Sequence, residues 1–171
     1  MKKILGLVVS LTVISGVCAA VLAYVDSITR DPIAQMKEKQ EQAAVKAVLP
    51  AGVTEVVPAD GFYVGMDKAD KILGYAAKGM DANGYGGDIV LMVGFKADKK
   101  TIVCYRTLVA TETPGLGMKL KTPEFADQFG GKDGTSLAVK KDGGTIEAIT
   151  SATITSRAVC RAIADAQKKI K

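Results

Sequence analysis

The sequence predicts an α+β chain: a single N-terminal transmembrane helix, then one domain with a mainly antiparallel sheet flanked by helices. Three observations predict it. Ile4 to Val25 is 22 residues without a charge, and at about 1.5 Å per residue such a helix reaches about 33 Å, enough to cross the hydrocarbon core. From Val53 to Ala110 the apolar residues fall in short strand-like runs separated by turn clusters. Beyond residue 153 the spacing is helical again, with Val159, Ala162, Ile163, Ala166 and Ile170 on one face.

In chain order, the anchor occupies 1–28. Lys2, Lys3 and the terminal amine precede it, so the positive-inside bias keeps the N-terminus cytoplasmic and sends the domain to the extracytoplasmic side of the cell membrane. A cleaved signal peptide is the rival reading, because Val21-Leu22-Ala23 offers a small-residue cleavage site; length favours the anchor. Ser15-Gly16-Val17 puts no small residue next to Cys18, which argues against lipoprotein processing. Residues 29–52 read as a connecting amphipathic helix opened by Asp31-Pro32, since proline suits a first helical turn, and closed by Pro50-Ala51-Gly52.

The domain spans 53–171. Candidate strands are 55–57, 61–66, 72–78, 88–97 and 101–110, with turns at Asp67-Lys68-Ala69-Asp70 and Asp98-Lys99-Lys100. Such short connections imply antiparallel hairpins. The glycines at 79, 84, 86, 87 and 94 allow close backbone approach, to a ligand or around a tight turn. A short helix is expected over 123–129, and two further strands over 135–139 and 145–149.

Composition narrows the chemistry. The net charge of +5 is scattered, and the five Tyr, four Phe and no Trp form no basic-aromatic stripe, so nucleic-acid binding is not expected. With no His and no Cys-x-x-Cys, zinc, haem and iron–sulfur centres lack their usual ligands, and any redox chemistry needs an organic cofactor. Cys18, Cys104 and Cys160 are far apart and odd in number; Cys104 and Cys160 read as buried free thiols, with a disulfide between them as the alternative outside the cytosol.

The chemistry concentrates between Glu147 and Arg161. Thr150, Ser151, Thr153, Thr155 and Ser156, with Thr145 upstream, run into the last helical pattern. Hydroxyls there can cap orphan N–H groups, and the same N–H groups and dipole can receive an anion, with Arg157 adding a guanidinium. Thr150-Ser151-Ala152-Thr153-Ile154-Thr155-Ser156-Arg157 resembles the Ser-Gly-Ala-Thr signature of the FMN-binding subunits of Rnf and Na⁺-translocating NADH:quinone reductase complexes. Gly84-Tyr85-Gly86-Gly87-Asp88 and Glu112-Thr113-Pro114-Gly115-Leu116-Gly117 match that family in the same order. The GYGG form is similar to the Rnf G-type subunit; the C-type subunit of the quinone reductase is the alternative.

The resemblance implies FMN joined through a phosphoester to the Thr153 hydroxyl, with Ser151, Ala152, Ile154, Thr155 and Arg157 around it. It places Glu112, Thr113, Gly115, Leu116, Gly117 and Tyr85 near the flavin. Two positions depart from the pattern: the signature glycine is Ser151, and the histidine often found two residues before Glu112 is Ala110. If that glycine takes positive φ, Ser151 carries a steric cost. No base stands near Thr153 to activate it, so the resemblance implies attachment by a separate flavin transferase, and Thr153 is an attachment site rather than a catalytic residue. It further implies an electron-carrying subunit, not catalytic alone, that works with other Rnf subunits in a ferredoxin:NAD⁺ oxidoreductase coupled to Na⁺ or H⁺ movement. A different class of reading is a membrane-tethered, non-redox module that has lost flavin, which Ser151 keeps open.

Overall fold

The computed structural model describes residues 2–171; Met1 and the side chains of Lys2 and Lys3, which carry the orientation expectation, lie outside the described residues. The chain divides into two compact units, Met1–Gln40 and Glu41–Lys171.

The first unit is helical throughout its described residues. Helix α1 runs Lys2–Val48, and its apolar part is long and hydrophobic enough to cross a membrane, with Leu5, Val8, Leu11, Ile14 and Leu22 all exposed. Sequence reasoning places Pro32 in the first turn of a separate helix, whereas it lies inside α1. A proline there removes one N–H from the ladder. The residues after it, Ala34, Gln35, Met36, Lys37 and Glu38, are good helix formers and carry the helix on.

The second unit is built on a five-stranded meander in the order β1-β2-β3-β4-β5, every pairing antiparallel. The strands are β1 (Glu55–Ala59), β2 (Phe62–Met66), β3 (Ile72–Asp81), β4 (Ile89–Lys96) and β5 (Ile102–Ala110), each overlapping its expected run. The turns close as their residues dictate. Asp67 Oδ1 accepts the N–H groups of Ala69 and Lys71, and Asp98 Oδ1 those of Lys100 and Thr101.

Both sheet faces are covered, which is why β4 reads as an unbroken apolar run and not as an alternation. Ile89, Leu91, Val93 and Phe95 face a core shared with Leu120, Phe125, Phe129 and the C-terminal helix; Met92 faces the other way, onto Ala44, Val45, Val48 and Leu49. Cys104 packs on the second face and Cys160 sits in the first core, so the sheet separates them and both are free thiols. Burial pushes the Cys160 thiol up to about 11.

Glycines set how closely helices approach the sheet. A Cβ on Gly94 would stand 1.8 Å from the Val48 carbonyl oxygen, and one on Gly79 would stand 1.9 Å from that of Ala162. These two serve helix packing, neither a ligand nor a turn.

After β5 come a 3-10 turn (Gly117–Lys121), helix α2 (Pro123–Ala126) and a second 3-10 turn (Asp127–Phe129), the short helical stretch that was expected. The strands expected over 135–139 and 145–149 do not form. Val139 and Ile146, both fully buried, make one isolated parallel bridge around a 3-10 turn at Lys140–Asp142. Parallel strands need a crossover of a dozen or more residues, and the six between these two allow a single bridge. Helix α3 (Thr153–Lys169) closes the domain, burying Ala158, Val159, Ala162, Ile163 and Ala166 against the sheet.

Candidate functional site

The start of α3, the Glu112–Gly117 loop and the glycine loop after β3 meet at one cavity of about 420 Å³. It is lined by Tyr85, Glu112, Thr113, Leu116, Gly117, Ser151, Ala152, Thr153, Ile154 and Thr155. These are ten of the twelve residues singled out in the sequence. The other two lie elsewhere. Gly115, at φ 75°, turns the loop without lining the cavity. Arg157 is held by Asp142 through Nε at 2.7 Å and Nη2 at 2.6 Å, so its guanidinium is not directed to the cavity. That fork holds the exposed Asp142 carboxyl below the usual carboxylate range. Asp142 sits in a turn 15 residues from Arg157, and no local pattern announces it.

The hydroxyl cluster sorts into two groups. Ser156 Oγ donates to the Ala152 carbonyl at 2.9 Å and accepts the Ile149 N–H at 2.9 Å, stitching the incoming chain to the first helical turn. Thr155 Oγ1 donates to Glu112 Oε2 at 2.8 Å, and both residues are buried. Thr153, the first residue of α3, is half-buried, and its hydroxyl makes no hydrogen bond among the described residues.

The helix start is not capped as the sequence suggests. Ala152 holds the N-cap position, with no side-chain cap. Ser156 and Thr155 are spent on other partners, while Ser151, in the left-handed region at φ 61°, makes no cap bond. That left-handed conformation costs a non-glycine residue about 1–2 kcal/mol, yet the chain keeps it with serine in place of the signature glycine. Among the described residues the N–H groups of residues 153–155 have no backbone acceptor: Ala152 N–H reaches Ile149 and Ser156 N–H reaches Ala152.

Glu112 joins the three segments. Its Oε1 accepts the Gly86 N–H at 3.3 Å while its Oε2 accepts the Thr155 hydroxyl. A Cβ on Gly117 would lie 2.5 Å from Oε2, and one on Gly86 would lie 1.9 Å from the Thr111 carbonyl oxygen, so the glycines are where the wall closes. Gly86 was legible only as part of the GYGG run, without its partner. On the rim, Tyr85, Leu116 and Ile154 expose large apolar surfaces.

Residues 84–168 match the FMN-binding domain family. Along nearly its whole length the chain is also similar to the G subunit of the ion-translocating oxidoreductase complex of Methanosarcina acetivorans, 33% identical over 95% of this chain and 92% of that one. The chain belongs to this G-type family of Rnf ion-translocating oxidoreductase complexes. A second relative in the family is the G subunit of the Na⁺-translocating ferredoxin:NAD⁺ oxidoreductase complex of Acetobacterium woodii, 35% identical over 91% of this chain and 84% of that one. Among solved structures, the C subunit of the Na⁺-translocating NADH-quinone reductase of Parabacteroides distasonis superposes with a TM-score of 0.53 at 25% identity, over 64% of this chain and 60% of that one. The Shewanella oneidensis counterpart, at 19% identity and a TM-score of 0.50, shares the fold.

The dimensions and chemistry of the cavity fit a flavin mononucleotide. Its volume falls in the range of about 300–1,000 Å³ typical of cofactor sites. The open N–H groups and free hydroxyl at the start of α3 suit a phosphate, and the apolar rim suits a ring system.

Proposed function

We propose that the chain is a membrane-anchored electron-transfer subunit that carries FMN covalently on Thr153, within an Rnf-type ferredoxin:NAD⁺ oxidoreductase coupled to Na⁺ or H⁺ translocation. The observation that carries this reading is the Thr153 hydroxyl, unpartnered at the mouth of a cofactor-sized cavity while Thr155 and Ser156 are bound within the fold. The charge of the lining supports a diester. No lining residue is basic, so an anion meets only the helix end, equivalent to about +0.5 of a charge. A free phosphate monoester brings about −1.5 to −2, whereas a diester to Thr153 brings a single negative charge.

Attachment makes one Oγ–P bond and breaks one P–O bond. The donor is a flavin phosphoric anhydride; its other half leaves as a phosphate monoester, and the hydroxyl proton passes to a base on a separate flavin transferase. No such base lies in the cavity within hydrogen-bond reach of Thr153. Once in place, FMN supplies one-electron transfer, and the chain supplies position, exclusion of water and hydrogen bonds. Residues 153–155 would offer N–H groups to the phosphate, and the Thr113–Gly117 loop and Tyr85 would border the ring.

The apolar helix serves as the anchor, with its amino end cytoplasmic and the domain on the far side of the membrane, where a dissociated cofactor would be lost to dilution. The other Rnf subunits are the partners, and ion movement belongs to them: Ile4 to Val25 contains no Asp, Glu, His, Lys or Arg with which to bind an ion. Intact-mass measurement of the native chain tests the attachment. A mass increase matching esterified FMN, with in-gel flavin fluorescence that disappears in Thr153→Ala, is expected; an unmodified mass in the native complex overturns it.

A further inference from the structure

We propose that Glu112 is a positioning residue for the attachment hydroxyl: its buried carboxylate spans from the glycine loop to the first turn of α3 and sets where Thr153 stands over the cavity. The inference rests on the reading that Thr153 carries FMN, and it adds the element that makes this hydroxyl the reactive one.

The geometry is specific. Glu112 is 5% exposed and Thr155 1%. One carboxylate oxygen takes the Gly86 N–H and the other the Thr155 hydroxyl, across 26 and 43 residues of sequence. No ion pair reaches this carboxylate among the described residues, so these two donors are what a buried acceptor of this kind has to satisfy it. Thr155 is two residues from Thr153 in the same helical turn, and a shift of one moves the other.

The surroundings leave Glu112 little freedom. Its Oε2 would lie 2.5 Å, and its Cβ 2.8 Å, from a Cβ on Gly117, and its Oε1 would lie 2.7 Å from one on Gly84. The two glycine-rich segments thus close around one side chain. A transferase must bring a phosphorus atom in line with a hydroxyl it does not itself hold, and a displacement of about 1 Å costs such a step on the order of 10²-fold in rate. Glu112 acts here through Thr155 and Gly86, and not on the reacting atoms.

The test is the rate at which the full-length chain, co-expressed with a flavin transferase, gains the FMN mass, read by intact mass on protein shown to be folded by circular dichroism. Thr155→Val, nearly isosteric, and Glu112→Ala are expected to load at least about tenfold more slowly than wild type. Thr155→Ser and Glu112→Gln, which can rebuild the bridge through a hydroxyl and through an amide that donates to Thr155 and accepts from Gly86, are expected to load within about twofold of wild type. Folded Thr155→Val that loads at the wild-type rate overturns the proposal, even if its unfolding midpoint has dropped. Glu112→Gln as slow as Glu112→Ala overturns it too, since charge and not the bridge would then matter. A wild-type chain that gains no flavin mass overturns instead the attachment reading beneath it.

Discussion

The inner wall and the outer rim of the cavity use the same residue types in opposite ways. Inside, the Glu112 carboxylate and the Thr155 hydroxyl are buried and bonded to each other. At the rim, Thr153 has a hydroxyl without a partner among the described residues, and Tyr85, Leu116 and Ile154 are exposed. A buried polar group must be satisfied by the protein, and in being satisfied it holds geometry. An exposed one is free to meet a ligand. Of the three hydroxyls at the start of α3, those of Thr155 and Ser156 are taken up within the fold and that of Thr153 is not.

The contrast can be broken most severely at the wall. Gly86→Val would put a Cβ 1.9 Å from the Thr111 carbonyl oxygen, and the overpacking is expected to cost about 3 kcal/mol or more, read as a lower urea midpoint. Thr155→Val leaves one Glu112 oxygen without its donor and is expected to lower stability by about 1–3 kcal/mol. At the rim the sign reverses. Ser151→Gly relieves the residue at φ 61° and is expected to stabilise the domain by about 1 kcal/mol, a rise of a few degrees in the unfolding midpoint.

The smallest expected effect concerns the surface counterpart of the Glu112 bridge. Arg161 Nε meets Asp81 Oδ2 at 2.6 Å and ties the end of β3 to α3. The hydrogen bond from Arg161 holds the Asp81 carboxyl below its ordinary value of 3.8. Because the folded value is the lower one, the contribution is complete above the unfolded value and is lost as pH falls through and below about 4. Urea midpoints followed downward from neutral pH should therefore fall more gently in Asp81→Asn than in wild type. Equal slopes would mean that this pair contributes nothing to acid sensitivity.

Strands β1 to β5 are legible in the sequence because each is a short run bounded by residues that make their own turns, as Asp67 and Asp98 do. The segment from 135 to 149 misleads because Val139 and Ile146 are apolar for the core's sake, in a loop too tight for more than one bridge. The site is legible as three separate segments. That Glu112 bonds Thr155, and that Arg157 turns to Asp142, depends on partners 43 and 15 residues away, and no periodicity carries such distances.

By itself the sequence determined the apolar helix, the antiparallel meander, the final helix and the residue types gathered at its start, since these follow from local periodicity and from turn and helix-end chemistry, which act over a few neighbouring residues. Only the tertiary structure decided that Thr155 and Ser156 are bound within the fold while Thr153 is not, that the helix start goes uncapped, and that a serine is held where a glycine would sit at ease. Each of those outcomes is set by contacts between segments far apart in the chain, which exist only once the sheet and α3 have packed and buried groups have had to find partners.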